Sequence, residues 1–369
     1  MAKIASMDVI VWIGFAQALF AGILTITKDK KSSADYLLSA WLFLLSIEFL
    51  TVGIELYVYT NFVFLSNTFL LFNPALFLYT RSLVKPSFRL KWPQLLHLLP
   101  YLIFKIFSWS LQEPLSFEGF FSPDNTLWYR ISFGVFGLVS WIVYLGLTAV
   151  ILSRHRKRLK NEFSTIDRIK KMGWIMFVVI FYGIYCLIVL LWGLFNIIVF
   201  TTESLTLFNY SVLLFFVYIF SFYGLKQRDI FPDKTKEEPA VPEKNSNSFL
   251  STDQMEKISQ KLLNYFQKEK PYLNPEFSMS LLSESLNIPR HHLTEVLNKH
   301  LGKNFFLFVN EYRVAAVKKQ LDKPDNPYSI EAIGYECGFN SKSTFFSVFK
   351  TLTGQTPKNY QQEVLQKKN

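Results

Sequence analysis

The chain has 369 residues, a formal net charge of +11 and a composition that is 50% hydrophobic. Aromatics make up 17% and phenylalanine alone numbers 38, more than a soluble core needs, while Lys and Arg gather in short clusters between apolar runs; this points to a membrane before it points to nucleic acid. Two cysteines, Cys186 and Cys337, with no CxxC or Cys/His spacing, argue against a disulfide framework and against a metal site.

Residues 1–228 contain seven apolar segments of membrane-spanning length: Met7–Thr27, Asp35–Tyr59, Phe62–Val84, Gln94–Leu111, Leu127–Leu152, Met172–Phe200 and Leu205–Gly224. The fourth is the least continuous, because Pro100 and Lys105 interrupt it. The first has no small-residue cleavage site and ends against Lys28, Lys30 and Lys31, so it is expected to stay as a span. Tyr57, Tyr59, Trp92, Trp109 and Trp128, near segment ends, read as interfacial anchors. Ala18 and Gly22 form a small-xxx-small pair suited to close helix packing.

Loop charges set the orientation. The loops after the first, third and fifth segments carry Lys28, Lys30 and Lys31; Arg81, Lys85, Arg89 and Lys91; and a run from Arg154 to Lys171. The alternate loops carry Glu113, Glu118, Asp124 and Glu203 without Lys or Arg. The positive-inside rule then places the N-terminus outside and the C-terminus in the cytoplasm, which requires an odd number of spans. The basic loop Ser153–Lys171 is expected to serve topology and anionic headgroup contact, each charge contributing about 1 kcal/mol near the surface. Membrane lipids are thus the first expected partner.

Ionisable groups inside spans are costly and raise a functional question. Glu48 and Glu55 lie seven residues apart and share a helix face. Lys105 and Arg130 fall toward the same outer half, and Asn67 and Asn73 add polarity. Together Glu48, Glu55, Lys105 and Arg130 are the candidate pocket for a small-molecule or lipid-borne signal. The competing reading is that Lys105 snorkels and the others reach the interface or a neighbouring partner.

Beyond the apolar region, residues 229–249 are polar and rich in charge and proline, and read as a linker to a domain over 250–369. Thr252–Gln267 is expected to be an amphipathic helix with Met255, Ile258, Leu262, Leu263 and Phe266 inward. Two helix-turn-helix patterns follow. In Phe277–Gly302, Leu281, Leu282 and Leu286 recur at helical spacing, Asn287-Ile288-Pro289 breaks the helix, and Leu293, Val296, Leu297 and Leu301 form a second apolar set. Its exposed face is Arg290, His291, Thr294, Glu295 and Asn298. In Ser329–Tyr360, Ser329 suits an N-cap, Gly338 a left-handed residue after a helix, and Asn340 or Ser341 the next cap. Phe345, Val348, Phe349 and Leu352 face inward there; Lys342, Ser343, Thr344 and Ser347 face outward.

The stretch Gly338–Tyr360, GF-N-S-K-S-x-F-F-S-V-F-K-x-x-x-G-x-x-P-x-x-Y, resembles the second helix-turn-helix signature of AraC-type transcription regulators. The upstream unit, with Asn304-Phe305 and Glu311-Tyr312-Arg313 opening the connecting helix, is similar to the first half of the same pattern. The resemblance covers about a third of the chain, residues 250–365, and departs from the family at Gln361, where Arg is frequent. Joined to the seven apolar segments, it gives the expected fold: all-α, a seven-transmembrane helical bundle followed by a cytoplasmic double helix-turn-helix domain. A connector over Phe305–Leu321, roughly 25 Å long, would space two readers near one DNA helical repeat, about 34 Å.

By this resemblance His291, Thr294 and Glu295 would face bases in the first unit, and Lys342, Ser343, Thr344 and Ser347 in the second. Ser341, Lys350 and Lys358 would meet phosphates, which position without reading sequence. The expected function is a membrane-bound regulator binding double-stranded promoter DNA under control of a signal in the bundle; a homodimer would strengthen that binding by effective concentration, though nothing in the sequence requires one. No HExxH, Gly-rich phosphate loop or nucleophile elbow appears, so neither an enzyme nor a cofactor is expected. The alternatives are a transporter with an appended regulatory domain, and an inert tether from which proteolysis releases a soluble regulator.

Overall fold

The computed structural model describes residues 2–29, 31–58, 68–85, 87–113, 120–165, 173–196, 202–225, 250–323 and 326–368. Among them all regular structure is helical, apart from an isolated antiparallel bridge between Phe163 and Ser278. The chain divides into two units, Met1–Ser153 with Trp174–Lys236, and Arg154–Gly173 with Glu237–Asn369. The expected linker over 229–249 lies outside the described residues.

The first unit is built from α1 (Ala2–Ile26), α2 (Ser33–Val58), α3 (Phe72–Val84), α4 (Leu99–Leu111), α5 (Leu127–Glu162, continuing into the second unit), α6 (Gly173–Asn196) and α7 (Thr202–Leu225). Five of these, α1, α2, α5, α6 and α7, are long and apolar enough to cross a membrane. This corrects the expected seven. Among the described residues the third and fourth segments yield only the 13-residue helices α3 and α4, each about 20 Å long against a hydrocarbon core of about 30 Å. Residues 62–67 of the third segment lie outside the described residues. The fourth is divided by proline. The segment starts in a 3-10 turn over Trp92–Leu98, and Pro100 stands at the start of the α-helix that follows, its ring removing a donor that a continuous helix would need.

Small residues let α1 and α2 approach. Ala18 is fully buried, a Cβ on Gly22 would lie 2.9 Å from the Phe43 ring, and the Ser39 hydroxyl donates to the Gly22 carbonyl at 2.9 Å. Outward faces stay apolar: Val135, Ile142, Ile180 and Ile184 are each more than half exposed. Three connections meet at one end of this unit. Lys28 Nζ bonds Asp35 and the carbonyl of Gly224, both at 2.6 Å, and the Ser33 hydroxyl donates to the Phe88 carbonyl at 2.6 Å. The loops carrying Lys28 and Lys31, and Lys85, Arg89 and Lys91, therefore gather where α7 ends.

The second unit holds α8 (Thr252–Glu269), α9 (Met279–Leu286), α10 (Arg290–Glu295), α11 (Phe305–Leu321), α12 (Ile330–Glu336), α13 (Lys342–Thr353) and α14 (Pro357–Lys368). Two cores lie along α11. Its first half contributes Phe305, Phe308 and Val309 to a cluster with Leu262, Phe266, Leu282, Leu286, Leu293 and Leu297. Its second half contributes Val314, Val317 and Leu321 to a cluster with Ile333, Phe339, Phe345, Val348 and Phe349. One helix thereby carries both small cores, which neither pair of short helices would bury alone.

Candidate nucleic-acid interface

The first two-helix unit starts where the Ser278 side chain accepts from the Leu281 amide, 3.4 Å away, capping α9. α9 ends at Asn287, which takes the left-handed conformation (φ 51°) that Asn tolerates better than most residues. Pro289 then leads into α10. Leu293, Val296 and Leu297 point inward; Arg290, His291 and Asn298 are exposed, and Thr294 and Glu295 are partly exposed. The helix continues as a π turn over Val296–His300, with the Leu301 amide donating to the Val296 carbonyl at 3.0 Å.

The second unit repeats the plan with different caps. Ser329 accepts from the Ala332 amide at 3.2 Å, and of the two candidate caps for α13 it is Ser341 that accepts from the Thr344 amide, at 3.3 Å. Between them Gly338 sits at φ +90°, where a Cβ would lie 2.2 Å from the Tyr272 carbonyl oxygen. Only glycine fits that turn. Phe345, Val348 and Phe349 are buried; Lys342, Ser343, Ser347 and Lys350 are exposed, as is Lys358 on α14. Thr344 corrects the expectation that it faces DNA. It is fully buried, one turn before Val348, and its Oγ1 accepts from the Ser341 hydroxyl at 2.9 Å.

A family model described as a helix-turn-helix domain matches residues 282–363. Residues 282–363 are an AraC-type helix-turn-helix domain. Uncharacterized HTH-type transcriptional regulators of Staphylococcus aureus strains COL and N315 are each 34% identical to the chain over 89 residues, 24% of this chain and 12% of theirs. The match thus spans about an eighth of the length of these curated relatives. A solved protein of unknown function from Listeria innocua is 26% identical, covering 28% of this chain and 95% of that one, with a TM-score of 0.26.

Within the helix-turn-helix domain two of the outward charges, Lys342 and Glu295, have ion-pair partners. Lys342 Nζ lies 2.6 Å from the Glu331 carboxylate on α12 and 5.7 Å from the centre of the Phe346 ring. The hydrogen bond raises the lysine's pKa and lowers that of the carboxyl. Glu295 pairs with Lys299, one turn on, at 2.8 Å, which holds its carboxyl below the ordinary value. The His291 and His292 rings meet edge to face with centres 4.1 Å apart, and burial, then the neighbouring His291, lowers the pKa of His292. The charges of Lys342 and Glu295 are therefore partly neutralised within the domain itself.

Of the candidate signal residues in the first unit, the structure keeps only part of the set together. Glu48 accepts from the hydroxyls of Thr68 and of Tyr210, the latter at 3.4 Å, and interacts electrostatically with Lys105. Arg130 is not part of this group. It is buried against Glu113 (3.3 Å), Asp124 (3.0 Å) and the carbonyls of Phe120 and Ser122, so it braces the loop before α5. The Glu55 side chain lies outside the described residues.

The sequence reading passed over Ser164, Asn310 and the buried side chain of Arg313. Arg313 is fully buried, and burial pushes its pKa down to about 10. Its guanidinium donates to the carbonyls of Tyr272 (2.8 Å) and Asn274 (2.9 Å), just before the first reader, and lies 5.8 Å from the centre of the Phe339 ring in the turn of the second. A polar residue amid the apolar pattern of α11 was the available signal: Asn310 and Arg313 fall three apart, on one face.

Proposed function

We propose that this chain is a membrane-anchored transcription regulator whose paired readers bind promoter DNA. The observation that carries the reading is two capped helix-turn-helix units on one connector, each presenting an exposed polar first turn beside a closed apolar core. A major groove admits one such helix, whose side chains meet the donor and acceptor pattern of base edges. His291, Thr294, Glu295, Lys342, Ser343 and Ser347 are the proposed base-facing set. Arg290, Asn298, Ser341, Lys350 and Lys358 are placed to meet phosphates or flank the site.

The membrane half of the proposal rests on the five apolar helices and on the basic loops that gather where α7 ends. By the positive-inside rule that end is cytoplasmic, which sends the following domain to the side where DNA is found. Glu48 with Lys105, Thr68 and Tyr210 is the proposed locus for a signal, since a carboxylate within an apolar helix is maintained at a cost. A dimer would present four readers and raise affinity through effective concentration.

The test is retention of genomic DNA fragments by the full-length protein in lipid nanodiscs across a salt series. Lys342→Ala and His291→Ala should each weaken retention of the selected fragments about tenfold, as expected for 1–3 kcal/mol per base contact. Retention that is unselective and erased by modest salt in every variant would sink the reading.

A further inference from the structure

The helix-turn-helix domain has a piece of chain built into it that comes from far outside residues 282–363. Ser164 lies two residues beyond the end of α5, in the basic loop assigned above to topology and headgroup contact, yet it is fully buried within the second unit. Its carbonyl oxygen accepts from Arg313 at 3.1 Å and from Asn310 Nδ2 at 3.0 Å. Its hydroxyl donates to the Phe277 carbonyl at 2.6 Å and accepts from Arg313 at 3.2 Å. Phe163 beside it forms the antiparallel bridge with Ser278, the residue that caps α9.

The charge arithmetic makes this contact more than a chance touch. Arg313 is a fully buried cation that donates to four neutral oxygens, two of which belong to Ser164. A buried charged donor left without partners is strongly disfavoured. Departure of the loop would leave Arg313 to find water or new acceptors. The groups that would then shift are the Tyr272–Asn274 segment entering the first reader and Phe339 in the turn of the second.

We propose that Phe163–Ser164 is an intramolecular docking strap: the loop following α5 seats against Phe277, Ser278, Asn310 and Arg313, and its seating sets the DNA-competent arrangement of the two readers. This rests on the DNA-binding reading above and adds the route by which the apolar region controls it. A signal that moves α5 would withdraw or seat the strap, biasing a two-state element that touches both readers.

Two measurements on the full-length protein in nanodiscs test it separately. Bridge partners in antiparallel backbone have Cα atoms about 4.5–5.5 Å apart, within disulfide range. Phe163→Cys combined with Ser278→Cys should therefore form an intrachain disulfide under mild oxidation, while Phe163→Cys combined with Ser285→Cys, at the far end of α9, should not. Failure of the first pair to cross-link, with Cys337 still protected from alkylation and hence the domain folded, would overturn the docking. The second arm replaces Ser164 with Phe, which cannot enter a fully enclosed position. Retention of selected genomic fragments should fall at least tenfold in Ser164→Phe and be preserved in the oxidised cross-linked protein. Equal retention by Ser164→Phe and the native protein would overturn the control by the strap. Absence of selective retention by the native protein would instead overturn the DNA-binding reading, while the cross-link decides the docking without DNA.

Discussion

At Lys342 the ammonium that would meet DNA is held by Glu331, so binding must exchange one partner for another. Glu331→Gln removes the competing charge, and its DNA retention should be several-fold tighter than that of the native protein, with Lys342→Ala as the opposite control. The pH dependence has a definite sign. The Lys342 hydrogen bond holds the Glu331 carboxyl below its ordinary value of about 4.3, so the pair persists through that range and is lost only as pH falls through the lowered value. A titration of DNA retention over acidic pH should therefore show a step in the native protein that Glu331→Gln lacks. Thr344 belongs to the other category. Thr344→Val keeps its shape and should leave retention nearly unchanged while lowering stability by about 1 kcal/mol for the lost hydrogen bond, read from thermal melting. Cys337 is a third case: burial raises its thiol to about 11, and the thiolate is the nucleophile, so alkylation at neutral pH should be slow in the folded protein and fast once denaturant opens the second core.

Among the elements, the turn at Gly338 is where backbone geometry constrains sequence most. Gly338→Ala adds both left-handed strain of about 1–2 kcal/mol and a collision with the Tyr272 carbonyl, so melting of the full chain should reveal loss of the second reader before the first. The two readers were legible because short amphipathic helices advertise themselves: Leu282, Leu286, Leu293 and Leu297 recur at helical spacing, and Ser329 and Gly338 punctuate it. Thr344 was misplaced because a reading by outward polarity overlooks that it stands one turn before Val348, on the inner edge of the helix. Apolar content alone did not separate α3 and α4 from the longer helices; Pro100, visible in the sequence, marks where the fourth segment passes from a 3-10 turn to an α-helix.

For the molecule as a whole, the proposed membrane anchor rests on the five long apolar helices among the described residues. Cell fractionation should leave the chain in the membrane pellet through an alkaline carbonate wash, and an antibody to the C-terminus should detect the full-length protein in cells bound to DNA. Appearance of a shorter C-terminal fragment on stimulation would favour release by proteolysis instead. What no local pattern carried was the seating of Ser164, because its hydrogen bonds to residues 310 and 313 span 146 and 149 positions of sequence and leave no periodicity. Arg130 was misjudged for a related reason: its carboxylate partners sit in a loop, where spacing has no helical meaning.

The π turn at Val296–His300 holds one residue more than a regular helix would between Val296 and Leu301. In geometric terms the ladder accommodates one extra residue there. Removing His300, which is exposed, would make the Leu301 amide the fourth after Val296 and close an ordinary helical ring, so the domain should tolerate that deletion and still bury its leucine. The same deletion at Ser343, inside a regular helix, would rotate Phe345, Val348 and Phe349 relative to their cap. One reader can therefore lose a residue of length where its counterpart cannot, an asymmetry that a deletion series scored by melting temperature would expose.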